Sequence, residues 1–321
     1  MKLSRLLSEI GLHYPSRARN PEITSITSDH RQCVPGALFV AIRGAKIDGH
    51  TFLRDAEAQG ASALVGEDFV TYEKYLRVPD SRLALSELAA ALNAWPSQSL
   101  IVIGVTGTSG KTTTTYLLES IFQAAGKKVG VIGTVNFRIA GKTVPSTHTT
   151  PGPAELQKLL VEMKAAGCEV VVMEVSSHAL KQRRVSGVLF DAVAFSNLTP
   201  EHLDYHPDIE DYYQSKKLLF TEQAERSGRR GKNTLLCVNS EDSFGARLAK
   251  DLLASQRKVV TYEVPPAPAW TADRLGVRGS VQGVPFHSNL AGRFNASNIQ
   301  CAISLAIALK IDPAVIARGI E

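Results

Sequence analysis

The stretch Gly104–Thr113, GVTGTSGKTT, decides how the rest of this chain is read. Ahead of it lies the apolar run Leu100-Ile101-Val102-Ile103, which reads as a buried strand. Behind it Leu117, Leu118, Ile121, Phe122 and Ala125 recur at helical spacing until Gly126 stops them. Strand, glycine-rich turn and helix N-terminus make an anion cradle. The glycines let backbone N–H groups approach phosphate oxygens, and the helix dipole favours negative charge there. In such a cradle Gly107, Thr108, Ser109, Gly110 and Thr113 surround the phosphates. Lys111 reaches the terminal ones and the Thr112 hydroxyl ligates Mg²⁺. Val105 stands where the strict phosphate-loop spacing has its first glycine, flanked by Gly104 and Gly107. The expected ligand is a nucleoside triphosphate.

With 321 residues the chain is long enough for two domains. Hydrophobic residues at 44% and charged residues at 21% are those of a soluble globular protein. A net charge of +5 suits small polyanionic ligands, and the scatter of the basic residues argues against nucleic acid. Short basic clusters at Lys181–Arg184 and Arg226–Lys232 read as solvated surface. The four cysteines, Cys33, Cys168, Cys237 and Cys301, are far apart, and three sit in apolar runs. Buried thiols are expected, not disulfides or zinc ligands. Met1–Ile10 has an amphipathic helix pattern, and no apolar run approaches the ~20 residues of a membrane span. A cytoplasmic location follows as an expectation.

Residues 1–97 form a first unit with strand-like pieces at Ile23–Thr27, Ala37–Ile42 and Ala63–Val65 and helices at Phe52–Gln59 and Ser81–Ala94. Pro96-Ser97-Gln98-Ser99 reads as a linker, and residues 98–321 as a second domain. Strands at 100–105, 129–135, 169–175, 191–197, 234–238 and 257–262 alternate with helices at 111–125, 153–166, 209–223, 241–255 and 294–309. That alternation predicts an α/β fold with a mostly parallel sheet covered on both faces. The Pro- and Gly-rich stretch 265–290 reads as antiparallel hairpins at one sheet edge.

Glu174 ends the apolar strand Glu169–Met173. A lone strand-end glutamate is ordinarily solvated, but Ser176, Ser177 and His178 follow this one at the ligand-binding end of the sheet. That places it to hold Mg²⁺. After the strand Ala192–Phe195, the run Asn197–His206 packs two histidines and two carboxylates into six residues. Its spacing does not fit tetrahedral zinc, so oxygen-ligated Mg²⁺ with some imidazole participation is preferred. Lys216 and Lys217 sit on an amphipathic helix, where spacing alone favours surface lysines beside a core stripe.

Together these strings resemble the Mur ligases, most closely the family that adds the third residue to UDP-N-acetylmuramoyl-L-alanyl-D-glutamate. The resemblance rests on GVTGTSGKTTTT, HTTP at His148–Pro151, MEVSSHAL at Met173–Leu180, NLTPEHLDYH and YYQSKKLLF. SDHR at Ser28–Arg31, PGALFVAIRG at Pro35–Gly44, DGHTF at Asp48–Phe52 and GRFNASN at Gly292–Asn298 extend it over nearly the whole chain.

The resemblance implies an N-terminal α/β UDP-binding domain followed by a phosphate-loop ATPase-type central domain. It also implies an ATP-dependent ligase working through an acyl phosphate. Lys111, His202 and Lys216 are then catalytic. One Mg²⁺ falls to Thr112 and Glu174, and a second to Glu174, His202 and a carbamylated Lys216, with Lys217 as fallback. Asn295 and Asn298 approach the ATP. Thr149, Thr150, Ser176, Gln182 and Arg184 contact the muramoyl peptide, and Ser28, His30 and Arg31 the uridine. His30 replaces a small hydroxyl residue of the family motif, and Glu201 stands where Asp is common. The expected partners are UDP-MurNAc-L-Ala-D-Glu and an amino acid, meso-diaminopimelate or L-lysine, bound by a monomer. The family's third, C-terminal domain would begin near Ile320-Glu321, where the sequence stops. The expectation is a chain without that domain, through truncation or natural loss, and with little turnover alone. The alternative is a non-catalytic UDP-muramoyl-peptide or nucleotide binding module.

Overall fold

The computed structural model describes residues 1–13, 19–146, 148–264, 270–273 and 275–321. Two compact units emerge: Met1–Pro96 with Gly152–Val161 and Gln182–Val188, and Ser97–Pro151 with Glu162–Lys181 and Leu189–Glu321. The sequence division names a single crossing at residue 97. Tertiary packing adds two later segments to the first unit, which spacing along the chain does not reveal.

In the first unit β1 (Ser25–Thr27), β2 (Ala37–Val40), β3 (Ala63–Gly66) and β4 (Tyr75–Arg77) form a parallel sheet in that order. β2 and β3 are buried throughout, which is why they read as unbroken apolar runs. β4 was absent from the sequence reading because its burial is only partial and its composition mixed. Helix α1 (Leu3–Ser8) buries Leu3, Leu6 and Leu7, and α2 (Leu53–Ala58) buries Leu53 and Ala56. Helix α3 (Ser81–Leu92) is capped by Asp80, whose carboxylate accepts the Leu83 N–H at 2.9 Å. It ends where Ala94 and Trp95 take φ of 55° and 50°, just before Pro96.

The second unit is built on eight strands: β5 (Ile101–Thr106), β6 (Val129–Ile132), β7 (Asn136–Ile139), β8 (Lys142–Pro145), β9 (Val170–Glu174), β10 (Ala192–Phe195), β11 (Leu235–Asn239) and β12 (Val259–Tyr262). Their order is β12-β11-β10-β5-β9-β6-β7-β8. It is parallel from β12 to β6, and a hairpin of β7 and β8 adds an antiparallel edge. The predicted strand 129–135 stops at Ile132 because Gly133 and Thr134 turn the chain toward Glu174. Helices α4 (Lys111–Ala124), α6 (Ser177–Lys181) and α9 (Ser243–Ala254) follow their strands, while most of α5 (Pro153–Ala165) groups with the first unit.

The predicted helix 209–223 is two helices, α7 (Ile209–Lys217) and α8 (Glu222–Arg229). Between them the chain tightens to Leu219 N→Lys216 O and Phe220 N→Lys217 O bonds, which turn Leu219 and Phe220 fully into the core. The hairpins expected over 265–290 are β13 (Trp270–Asp273), β14 (Gly276–Val281) and β15 (Val284–Ser288). They form a separate three-stranded sheet and do not extend the main one. Residues 265–269 and 274 of that prediction lie outside the described residues.

α10 (Arg293–Ala308) and α11 (Pro313–Ile320) close the core over α4, joining Leu118, Ile121, Phe122, Ile299, Ile303 and Ile316. The approach is close: a Cβ on Gly319 would stand 2.5 Å from the Ile121 Cα. All four cysteines are buried and free. No helix among the described residues is long and apolar enough to cross a membrane.

Candidate active site

The loop between β5 and α4 turns through Gly107 and Gly110, with φ of 150° and 87°, at the carboxyl end of the sheet. Both glycines are required by contact as well as conformation. A Cβ on Gly107 would lie 1.9 Å from Ser196 Oγ, and one on Gly110 2.3 Å from Asn298 Oδ1. The chain leaving β10 laces the loop in place. Thr108 N donates to the Asn197 carbonyl (2.9 Å) and Ser109 N to Asn197 Oδ1 (3.0 Å), while Ser196 Oγ and Asn197 Nδ2 donate to the Ser109 carbonyl. Asn298 itself donates to Asn295 Oδ1 at 3.1 Å, so both predicted nucleotide residues sit beside the loop and are buried. Lys111 folds back on the loop, its Nζ donating to the carbonyls of Gly107 (2.9 Å) and Thr108 (2.7 Å). Burial pushes its ammonium below the usual lysine range, against the pull of Glu174 and Glu201.

Glu174 ends β9 directly beside Val105 of β5 and is almost fully buried. Thr112 Oγ1 donates to its Oε1 at 2.9 Å, Thr134 N donates to the same oxygen at 3.0 Å, and Thr134 Oγ1 lies 3.0 Å from Oε2. Gly133 leaves the space for this, since a Cβ there would come within 2.5 Å of Oε1. Mg²⁺ prefers six oxygens at about 2.1 Å, which puts neighbouring ligands about 3.0 Å apart. The Thr112–Glu174 pair offers oxygens only, at 2.9 Å, and so fits that ion.

Lys216 reaches the loop from α7. It is 1% exposed, donates to the Gly107 carbonyl at 2.9 Å and lies over the Tyr212 ring. Burial, together with the nearby charge of Lys111, holds its amine well below the ordinary lysine value. Lys217 turns away, its Nζ on Asp251 Oδ2 at 2.6 Å, so the loop-facing lysine is Lys216. Tyr212 OH is 3.2 Å from Thr108 Oγ1, and its ring centroid is 6.0 Å from that of His202. His202 has φ of 59°, stands edge-on to His178 at 5.1 Å and leaves its side chain 46% exposed. The structure thus gathers Lys111, Thr112, Glu174 and Lys216 about one loop, with His202 on its Tyr212 side.

The residues expected at the substrate have diverse settings. Thr149 Oγ1 lies 3.0 Å from Thr134 Oγ1. Thr150 is 1% exposed, and its hydroxyl donates to the Glu174 carbonyl (2.9 Å) and accepts Ser176 N–H (3.2 Å). It therefore ties the loop internally. In the first unit Arg184 donates to Gln182 Oε1 at 2.7 Å, and Ser86 Oγ donates to the Arg184 carbonyl. Ser28 is exposed, His30 stacks on Phe52 at 4.2 Å, and Arg31 forks onto Asp29 through two 2.9 Å bonds. That guanidinium lowers the Asp29 carboxyl to about 2.

Thr134, Ser196 and Asn197 were given no individual role by the sequence, and buried His206 only a share in the polar run expected to help hold Mg²⁺. The last bridges Asp211 Oδ2 (2.6 Å) and Ser177 Oγ (3.0 Å) and so ties the His202 loop to α6 and α7. A hydroxyl or amide in the first residues after a parallel strand was the available signal for Thr134 and Asn197.

The Mur ligase middle-domain profile matches residues 105–306, and the Mur ligase family catalytic-domain profile matches residues 22–93. A UDP-N-acetylmuramoyl-L-alanyl-D-glutamate--2,6-diaminopimelate ligase from Geobacter metallireducens is 42% identical over 312 residues, 94% of this chain and 60% of the relative. The enzyme of the same name from Gloeobacter violaceus is 40% identical, covering 100% of this chain and 66% of its own length. A solved structure bearing that name superposes with a TM-score of 0.81 at 26% identity, over 100% of this chain and 66% of the other. MurF from Acinetobacter baumannii shares the fold, with a TM-score of 0.62 at 22% identity. The chain spans 60–66% of the length of these curated relatives. By both domain profiles and by relatives matched across nearly all of its sequence, this chain belongs to the Mur ligase family.

Proposed function

We propose that this chain carries the nucleotide- and muramoyl-peptide-binding parts of an ATP-dependent amide ligase. The reaction adds the third amino acid to UDP-MurNAc-L-Ala-D-Glu in peptidoglycan synthesis. The observation that carries the reading is the 2.9 Å pairing of Thr112 with Glu174 beside Lys111 and Lys216. In the first step a γ-carboxylate oxygen of D-glutamate bonds to the γ-phosphorus of ATP and ADP leaves. In the second, the amino acid's amine bonds to the acyl carbon, the carbon–oxygen bond to phosphate breaks, and the amine gives up a proton. Relatives named for 2,6-diaminopimelate support that amino acid over L-lysine.

Mg²⁺ held by Thr112 and Glu174, and a second ion held by Glu174, His202 and Lys216 as a carbamate, would neutralise charge on the transferring phosphoryl group. The residues themselves do the positioning. Lys111 exchanges the Gly107 and Thr108 carbonyls for phosphate oxygens, and the N–H groups at the start of α4, from Gly110 to Thr113, hold the remainder, those of Thr108 and Ser109 being engaged by Asn197. Asn295 and Asn298 serve the nucleotide. Thr149, Thr150, Ser176, Gln182 and Arg184 serve the peptide, and Ser28, His30 and Arg31 the uridine. Burial that favours the uncharged amine, the form that adds CO₂, supports carbamylation of Lys216. The protein acts on small molecules as a cytoplasmic monomer, without nucleic acid or membrane. Calorimetry with Mg·ATP and with UDP-MurNAc-L-Ala-D-Glu tests the proposal: binding of both is expected, and binding of neither overturns it.

A further inference from the structure

We propose that Thr134 is a positioning residue that presents the Glu174 carboxylate to the divalent cation; this rests on the nucleotide-binding reading above. Glu174 is almost fully buried at the end of β9, so nothing in solvent orients its carboxylate. Thr134 supplies the orientation from two sides, its backbone N–H on Oε1 at 3.0 Å and its hydroxyl against Oε2 at 3.0 Å. One hydroxyl proton serves one acceptor. The carboxylate, the stronger acceptor, takes it: Thr134 Oγ1 donates to Glu174 Oε2 in preference to Thr149 Oγ1, which lies 3.0 Å away.

The Thr112 hydroxyl holds Oε1 only while it donates to it, at 2.9 Å. A cation held by Thr112 and Glu174 would need a lone pair from each, so the Thr112 hydroxyl would no longer donate to the carboxylate. Thr134 is then what keeps the carboxylate in place. Its neighbour Gly133 is part of the same device, because a Cβ would stand 2.5 Å from Oε1 and displace the carboxylate. A hydrogen-bond partner behind a metal ligand typically contributes about 10–100-fold in metal affinity.

The test is the Mg²⁺ dependence of ATP binding, followed by calorimetry on the whole chain and on Thr134→Val, Thr134→Ser and Glu174→Gln. Thr134→Val keeps the backbone N–H and the side-chain shape but removes the hydroxyl. It is expected to raise the Mg²⁺ concentration for half-maximal tightening of ATP at least tenfold. ATP affinity in EDTA and the melting temperature stay near the parent's, and Thr134→Ser restores the parent's Mg²⁺ response. A merely structural threonine would shift affinity in EDTA and the melting temperature together. If the parent responds to Mg²⁺, Glu174→Gln abolishes the response and Thr134→Val leaves it unmoved, the role of Thr134 is overturned while the nucleotide site stands. If the parent binds ATP without any Mg²⁺ response, the metal-site reading falls and the positioning role with it.

Discussion

Two buried lysines lie at opposite ends of the same sheet, and they are held in opposite ways. Lys232, at the amino ends of the strands, is 7% exposed, and its ammonium meets a carboxylate. It pairs with Asp191 Oδ2 at 2.5 Å and donates to the Leu100 carbonyl at 2.6 Å. Lys216, at the carboxyl ends, has the Gly107 carbonyl and a tyrosine face but, among the described residues, no ion pair, and Lys111 repels it. The amino end also opens into a cleft of about 800 Å³ lined by Lys232, Arg257 and Lys258. Volume and basic lining alone therefore do not single out the end we propose as reactive; a buried amine without an ion pair among the described residues does. At the amino end the buried ammonium is paired within the fold, whereas at the carboxyl end the partners we propose are phosphate and cations.

The contrast predicts effects of different sign and size. The largest belongs to Asp191→Ala, which strands the Lys232 charge and also frees the Val102 N–H that Asp191 accepts at 2.7 Å. Urea unfolding should show a loss of about 3 kcal/mol. Next, Lys111→Ala should weaken Mg·ATP binding by about 30-fold, near 2 kcal/mol, with little change in stability. A large stability loss with unchanged ATP affinity would place Lys111 with Lys232.

Lys216→Met should instead stabilise the fold by about 1 kcal/mol in CO₂-depleted, metal-free buffer at neutral pH, because a poorly answered amine leaves the core. The sign follows from protons. The folded-state value of Lys216 lies below its ordinary 10.5, so the unfolded chain binds more protons and the parent gains stability as pH rises toward 10.5. The advantage of the variant should shrink over that window, read as converging melting temperatures. The smallest effect is reserved for Lys258→Ala in the amino-end cleft. It should change stability by under about 0.5 kcal/mol and leave ATP affinity untouched.

What could be read beforehand follows the same division. The phosphate loop and Glu174 were legible because each sits where a continuous apolar run, such as Val170–Met173, meets its first polar residues. The residues that hold them were not. Thr134 is one threonine in a turn, and its two bonds to Glu174 join positions forty apart in sequence. Asn197 and His206 stood inside a visibly polar run, yet only packing shows that one laces the loop and the other clamps Ser177 to Asp211. In the fold, α11 carries its own signals, Asp312 accepting from Ala314 N ahead of Pro313, which the sequence reading does not use. The turn at Leu218–Thr221 gave no signal, because the apolar stripe runs through it unbroken.

The most direct test is a crystal structure of this chain with Mg²⁺ and a non-hydrolysable ATP analogue. The account predicts the triphosphate on the N–H groups of Gly110–Thr113, Lys111 withdrawn from the Gly107 and Thr108 carbonyls, and Thr112 and Glu174 each about 2.1 Å from one Mg²⁺. A nucleotide seated in the cleft of Lys232, Arg257 and Lys258, with the Thr112–Glu174 hydrogen bond intact, would contradict it.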